Sequence, residues 1–175
     1  MKIKKLKIKG CYLINFKPHK DNRGYFARTS CKREFRKYKI NSNWVQSNLS
    51  LNKKRGTLRG LHFQVGPFQE EKLVRCVKGS VCDYVLDLRK KSKTFMKIIN
   101  IKLDENNFNI FNELKACSHG NIALKNNTIL SYLMTNYYSK THERSFSFFH
   151  KKLNIRFPIK PSKISKKDLI KSIKN

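Results

Sequence analysis

His62 and Lys72 stand in one stretch, GTLRGLHFQVGPFQEEKLVR (residues 56–75), that reads as strand, Gly-Pro loop, strand. Side chains alternate between the two faces of a strand. His62 and Gln64 therefore share one face, with Leu61 and Phe63 opposite. Beyond the loop, Lys72, Val74 and Cys76 share a face opposite Leu73, Arg75 and Val77. An imidazole titrates near neutrality and a fixed ammonium stabilises an oxyanion, so one of each on a small sheet can run proton transfer. A lone strand histidine is more often structural. The pair gains meaning from the elements that hold it.

Those elements read as many short strands. Tyr12 to Phe16 follow Cys11 as an apolar run, Asp21-Asn22-Arg23-Gly24 is a turn signal, and the aromatic pair Tyr25-Phe26 comes next. CKREFRKY (residues 31–38) predicts one short helix with Ser30 as N-cap. Strands are expected over 44–51, 95–103 and 128–138, with shorter ones at 145–149 and 154–157, and Phe108 to Leu114 leads into Cys117-Ser118-His119-Gly120. LVRCVKGSVCDYVLDLR reads as a hairpin turning at Lys78-Gly79-Ser80. Its second strand puts Val81, Asp83, Val85 and Asp87 on one face and Cys82, Tyr84, Leu86 and Leu88 on the other. Aspartates inside an otherwise apolar strand predict a barrel with a partly polar interior, able to hold a small ligand. The basic start, MKIKKLKIKG, alternates Lys with Ile and Leu and predicts a half-buried edge strand. From Pro161 a basic C-terminal tail is expected, with Ser165-Lys166-Lys167-Asp168 resembling a helix start.

With 175 residues, 39% of them hydrophobic, the chain has the size of a single domain with its own core. No apolar run has the length to cross a membrane, and the N-terminus lacks the apolar centre of a secretion signal, which predicts a cytoplasmic protein. The formal charge is +29, from 40 Lys and Arg against 11 Asp and Glu. Such an excess suits a polyanionic partner. However, the lysines run from Lys2 to Lys174 without clustering, and no nucleic-acid-binding motif accompanies them, so the charge reads as a solvated surface. Five scattered cysteines without a CxxC pair predict reduced thiols. His62 and His119 lack the clustered His and Glu of a metal site, so no metal and no cofactor is expected.

The motifs DNRGYF, TLRGLHFQ, KLVRC and DLRKKSKTF, then His119-Gly120 and TNYYS (residues 135–139), resemble the dTDP-4-dehydrorhamnose 3,5-epimerase family in order and spacing over about residues 10–160. The resemblance implies an all-β fold, a cupin-type jelly-roll barrel or sandwich with short peripheral helices. It also implies a homodimer that exchanges a short N-terminal segment, and a dTDP-linked 4-keto-6-deoxy sugar as substrate. In such a sugar the ketone acidifies C3 and C5, so a base forms an enolate and an acid returns the proton from the other face. By the match, His62 is the base, Tyr132 the acid and Lys72 the enolate stabiliser. Arg23, Gln46 and Arg59 match diphosphate and sugar contacts, Phe26 and Tyr138 the thymine contacts, and His119 a second pocket histidine. Asp83 falls at a matching position in the hairpin.

One departure concerns the base. An ungapped match through Tyr138 and Pro158 sets Phe148-Phe149-His150 where the family carries an aspartate that pairs with the base histidine. His150 is then expected in the carboxylate's place. The main reading stays an active epimerase; His150 motivates the alternative of a mono-epimerase or a weakened relative that binds sugar nucleotides. In the loop before His119, Leu114-Lys115-Ala116-Cys117 replaces a Pro-Gly-Phe type of turn, and Asn121 replaces an aromatic.

Overall fold

The computed structural model of the chain describes residues 1–169. Its first half comprises β1 (Lys2–Lys5), β2 (Tyr12–Asn15), β3 (His19–Asp21), β4 (Gly24–Phe26), α1 (Lys32–Arg36), β5 (Gln46–Asn52), β6 (Thr57–Gln64), β7 (Lys72–Lys78) and β8 (Ser80–Asp87). Then come β9 (Ile98–Asp104), β10 (Asn109–Glu113), β11 (Cys117–Ala123), β12 (Thr128–Met134), β13 (Glu143–Ser145), β14 (Lys163–Ile164) and α2 (Lys166–Leu169). One sheet runs β1-β2-β10-β7-β12-β5; the second runs β13-β6-β11-β8-β9, with β14 added parallel to β6. The two pack face to face as the expected jelly-roll sandwich, and β3–β4 form a separate ribbon. β1 lies at the sheet edge as the Lys/Ile alternation predicts, paired with β2 of its own chain.

Three apolar layers hold this arrangement. Between the sheets, Val74, Cys76, Phe111 and Leu130 meet Val81, Val85, Leu103 and Cys117. On the outer face of the second sheet, Leu58, Leu61, Tyr84, Leu86 and Ile122 lie under Phe148 and Leu153. On the outer face of the first, Ile14, Leu73 and Ile110 are covered by Phe16, Phe35 of α1 and Ile40. β8 is thus buried on both faces along its whole length. Its alternation is as expected: Val81 and Val85 face inward beside Asp83, while Cys82, Tyr84 and Leu86 face outward. Burying each large side chain contributes roughly 1.5–3 kcal/mol, so the layers fix which face of β6 and β7 looks inward.

Five expectations are corrected. The short strands expected over 145–149 and 154–157 do not form: β13 ends at Ser145, and 154–157 carries no strand. Residues 72–88 are not a hairpin: β7 pairs with β10 and β12, whereas β8 pairs with β11 and β9 in the other sheet. Gly79, at φ 80°, turns the chain across the corner so tightly that a Cβ there would sit 2.4 Å from Thr128 Oγ1. Two apolar runs joined by Lys-Gly-Ser signal a turn, but not which sheet receives the second run. The α1 N-cap is Cys31, without a side-chain cap bond, and not Ser30. The strand expected over 128–138 stops at Met134, where Thr135 and Glu71 exchange hydrogen bonds and the chain bends. The start of the basic tail is built into the fold: Ser162 N bonds Gly56 O at 2.9 Å, β14 joins β6, and α2 follows.

Candidate active site

Between the sheets a cleft of about 270 Å³ opens, and seven of the expected residues line it: Gln46, Arg59, His62, Lys72, His119, Tyr132 and Tyr138. They arrive from both layers. β6 and β11 of the second sheet carry Arg59, His62 and His119; β5, β7 and β12 of the first carry Gln46, Lys72 and Tyr132. The base and acid candidates therefore stand on opposite walls. The close approach of β6 and β11 depends on Gly60 and Gly120. A Cβ on Gly60 would lie 2.6 Å from Gly120 Cα, and one on Gly120 would lie 2.5 Å from Arg59 O. With the strands this close, His62 and His119 face each other in register.

His62 has a carboxylate partner, and it is Asp168. His62 Nε2 lies 2.6 Å from Asp168 Oδ1. Asp168 is 6% exposed and is held by Ser165, whose Oγ donates to Oδ2 at 2.8 Å and accepts from the Asp168 amide at 3.2 Å. Burial pushes the Asp168 carboxyl up, but the hydrogen bond and charge of His62, with Ser165, outweigh it and hold the group below its ordinary value. With the carboxylate ionised, His62 donates from Nε2 and keeps its Nδ1 lone pair for a proton.

The cleft floor is ionic. Lys72 Nζ lies 2.9 Å from Glu70 Oε1 and 3.8 Å from Glu113 Oε2. Burial alone would lower the lysine's pKa; the carboxylates of Glu113, where it is ionised, and of Glu70 more than offset it and raise the value, and Glu70 at 2.9 Å holds the ammonium. His119 Nε2 stands 2.7 Å from Asp83 Oδ1, and that carboxylate likewise outweighs burial and raises the histidine's pKa. Arg59 is clamped from behind: Nε donates to Asn52 Oδ1 at 2.8 Å and Nη2 to Leu51 O at 3.1 Å. Asn52 in turn contacts Asn121, the residue that stands for an aromatic, at 3.5 Å. Gln46 accepts from the Tyr138 amide at 2.9 Å, and the Tyr138 hydroxyl donates to Glu143 Oε2 at 2.9 Å. Lys167 pairs with the same Glu143 oxygen.

Three expected residues lie elsewhere. His150 does not line the cleft; its ring stacks against Phe146 at 5.0 Å and its Nδ1 accepts from the Lys152 amide. The idea that it displaces the base's carboxylate is overturned by the His62–Asp168 pair. Phe148, two residues before His150, is 2% exposed and edge-on to Tyr84, so this segment serves the core. Arg23 and Phe26 sit on the β3–β4 ribbon, their own shallow hollow apart from the cleft. The Arg23 side chain is 84% exposed and paired to Asp21, and Phe26 is 72% exposed. Asp83 is buried behind the cleft wall and acts on it through His119.

Asp168, Glu70, Glu113 and Glu143 complete the site without having been expected there. For Asp168 a signal existed. It is the only acidic residue between 144 and 175, and it closes a Ser-x-x-Asp capping pattern.

Residues 5–174 match the family model described as dTDP-4-dehydrorhamnose 3,5-epimerase. The chain is 34% identical over 172 residues to the dTDP-4-dehydrorhamnose 3,5-epimerase of Shigella flexneri, covering 97% of this chain and 93% of that protein. Among solved structures, the enzyme of that name from Elizabethkingia anophelis NUHP1 superposes with a TM-score of 0.93 at 34% identity, covering 98% and 95% of the two chains. A dTDP-6-deoxy-D-glucose-3,5-epimerase from Legionella pneumophila, in complex with dTDP-4-keto-L-rhamnose, gives 0.89 at 30% identity, covering 95% and 89%.

Proposed function

The chain belongs to the dTDP-4-dehydrorhamnose 3,5-epimerase family, and from that premise we propose that it inverts C3 and C5 of dTDP-4-keto-6-deoxyglucose. The observation that carries the reading is the cleft itself. A histidine backed by a carboxylate stands on one wall, a tyrosine on the other, and a buried ammonium on the floor. His62 Nδ1 takes the proton from C3 or C5, and the C–H electron pair moves into an enolate at C4–O4. Lys72 donates a hydrogen bond to O4 as negative charge develops there, a role a preorganised ammonium fills without reorientation. Tyr132 delivers its hydroxyl proton to the opposite face of the carbon, which inverts it, and the phenolate and the imidazolium then exchange protons with water. Asp168 stabilises the imidazolium while it lasts.

Arg59, Gln46, Tyr138 and His119 are assigned to substrate binding, with Arg59 offering a guanidinium edge to the diphosphate. The ribbon residues Arg23 and Phe26 are assigned to the cleft of a second copy in a homodimer, because on their own chain they are exposed and off the cleft. No described helix is long and apolar enough to cross a membrane, and a cytoplasmic location accords with five free thiols. The weakened reading rested on His150 and loses its support with Asp168 in place. The test is product analysis by proton NMR after incubation with dTDP-4-keto-6-deoxyglucose. Signals of the sugar inverted at both carbons are expected; inversion at C3 alone, or none, contradicts the assignment.

A further inference from the structure

Glu113 closes β10 and stands directly across from Lys72 in the antiparallel β10–β7 pair, where facing side chains lie closest. It shares its strand face with Phe111, which is fully buried between the sheets, so its carboxyl is sent into the interior. It is 1% exposed, and its Oε2 makes no hydrogen bond to the described residues. Lys72 already has a carboxylate at 2.9 Å in Glu70. The ionisable groups facing Glu113 are Lys72 on β7, Glu70 just before it, His119 and the Cys117 thiol on β11, and Asp83 on β8; Tyr132 on β12 adjoins the lysine. Even with His119 protonated, the two cations Lys72 and His119 balance only the two carboxylates Glu70 and Asp83. An ionised Glu113 would be a third buried carboxylate with no cation left to match it.

We propose that Glu113 is a positioning residue for Lys72, working as the neutral acid that packs beside the lysine and leaves its charge to the substrate oxygen. This rests on the epimerase reading of the cleft. Protonated, the carboxyl fills the space next to Lys72 without competing for its field. Ionised, it adds a second negative charge beside the ammonium and weakens the lysine's hold on the enolate. Burial pushes Glu113 up to about 7, outweighing the attraction of Lys72 and His119, so the change falls near neutral pH. The neutral form exists below that value and is lost above it, so turnover declines as pH rises through it. Full loss of an oxyanion donor costs about a hundredfold or more, and a weakened one should cost roughly tenfold.

Two readouts test this. Carbon-13 NMR of the glutamate side-chain carboxyls in the wild-type protein should show one resonance titrating near pH 7, absent from Glu113→Gln. The profile of kcat against pH should lose its fall above neutrality in Glu113→Gln and in Glu113→Leu, the second being a neutral side chain suited to the apolar surroundings. No such resonance, or an unchanged fall in both variants of an active protein, overturns the proposal. Absence of epimerisation by the wild type overturns the functional reading and the lysine's role together, and the resonance tells the two failures apart.

Discussion

Asp168→Asn removes the charge that backs His62 while keeping size and shape, and its cost can be worked from the geometry. A unit charge pair about 4 Å apart is worth about 4 kcal/mol at an effective dielectric near 20. The His62 Nε2 to Asp168 Oδ1 contact is 2.6 Å, and the two side chains are 31% and 5% exposed, so water reaches one side of the pair. Discounting for that screening leaves about 2–3 kcal/mol of imidazolium stabilisation. At 1.36 kcal/mol per tenfold, kcat should fall by roughly 30- to 150-fold. KM should change little, because Asp168 faces His62 and not Arg59, the residue proposed to hold the diphosphate. The assay is initial-rate epimerisation at pH 7.5, with near-ultraviolet circular dichroism to confirm that the fold persists. His150→Asp serves as the control and should leave kcat within about twofold, since His150 lies outside the cleft. A wild-type rate in Asp168→Asn, or a faster His150→Asp, would refute the assignment of the carboxylate.

Tyr132→Phe should uncouple the two half-reactions: solvent deuterium still enters through His62 while net inversion falls by a factor of 100 or more, as for loss of a general acid; equal loss of both would make Tyr132 structural. Asp87→Asn should cost about 3 kcal/mol, because the buried carboxylate accepts from Arg89 Nε and Nη2 at 2.8 Å and from Ser92 and Thr94 hydroxyls at 2.7 Å. Burial alone would raise the Asp87 pKa, but those bonds hold it well below the ordinary 3.8. Its contribution is therefore complete above that value and lost as pH falls through the folded one. The melting temperature of Asp87→Asn should thus lie about 6–12 °C below wild type at pH 7, and the gap should narrow below about pH 4. Ala116, in the turn before His119, has φ 57°, a left-handed conformation that costs an alanine about 1 kcal/mol. Ala116→Gly should raise the melting temperature by about 2–4 °C, and no rise would place the strain of that turn elsewhere.

Much of the layout was legible because alternation and turn chemistry are local. The inward set Lys72, Val74 and Cys76, the split faces of β8 and the edge position of β1 follow from side-chain parity, and the structure keeps all three. Sheet membership was not legible. The turn at Gly79 looks the same whether β8 returns alongside β7 or crosses to the other layer, and the choice is made by β9 and β11, which come later in the chain. The partner of His62 was hidden by distance: Asp168 is 106 residues away, and it reaches the site only because β14 docks on β6. An ungapped match put the carboxylate at His150, in a segment whose Phe148 is committed to the core under β8. Arg23 and Phe26 were matched to the site by motif, yet a ribbon standing off its own sheets cannot deliver them to its own cleft.

The central claim is that His62 removes the protons that C4 acidifies on both sides. The direct measurement is deuterium incorporation into dTDP-4-keto-6-deoxyglucose in heavy water, read at C3 and C5 by mass spectrometry and NMR, for the wild type and His62→Ala side by side. One deuterium at each carbon is expected with the wild type, and none at either beyond the uncatalysed background with His62→Ala. Label absent from the wild-type product, or entering at an undiminished rate with His62→Ala, would contradict it.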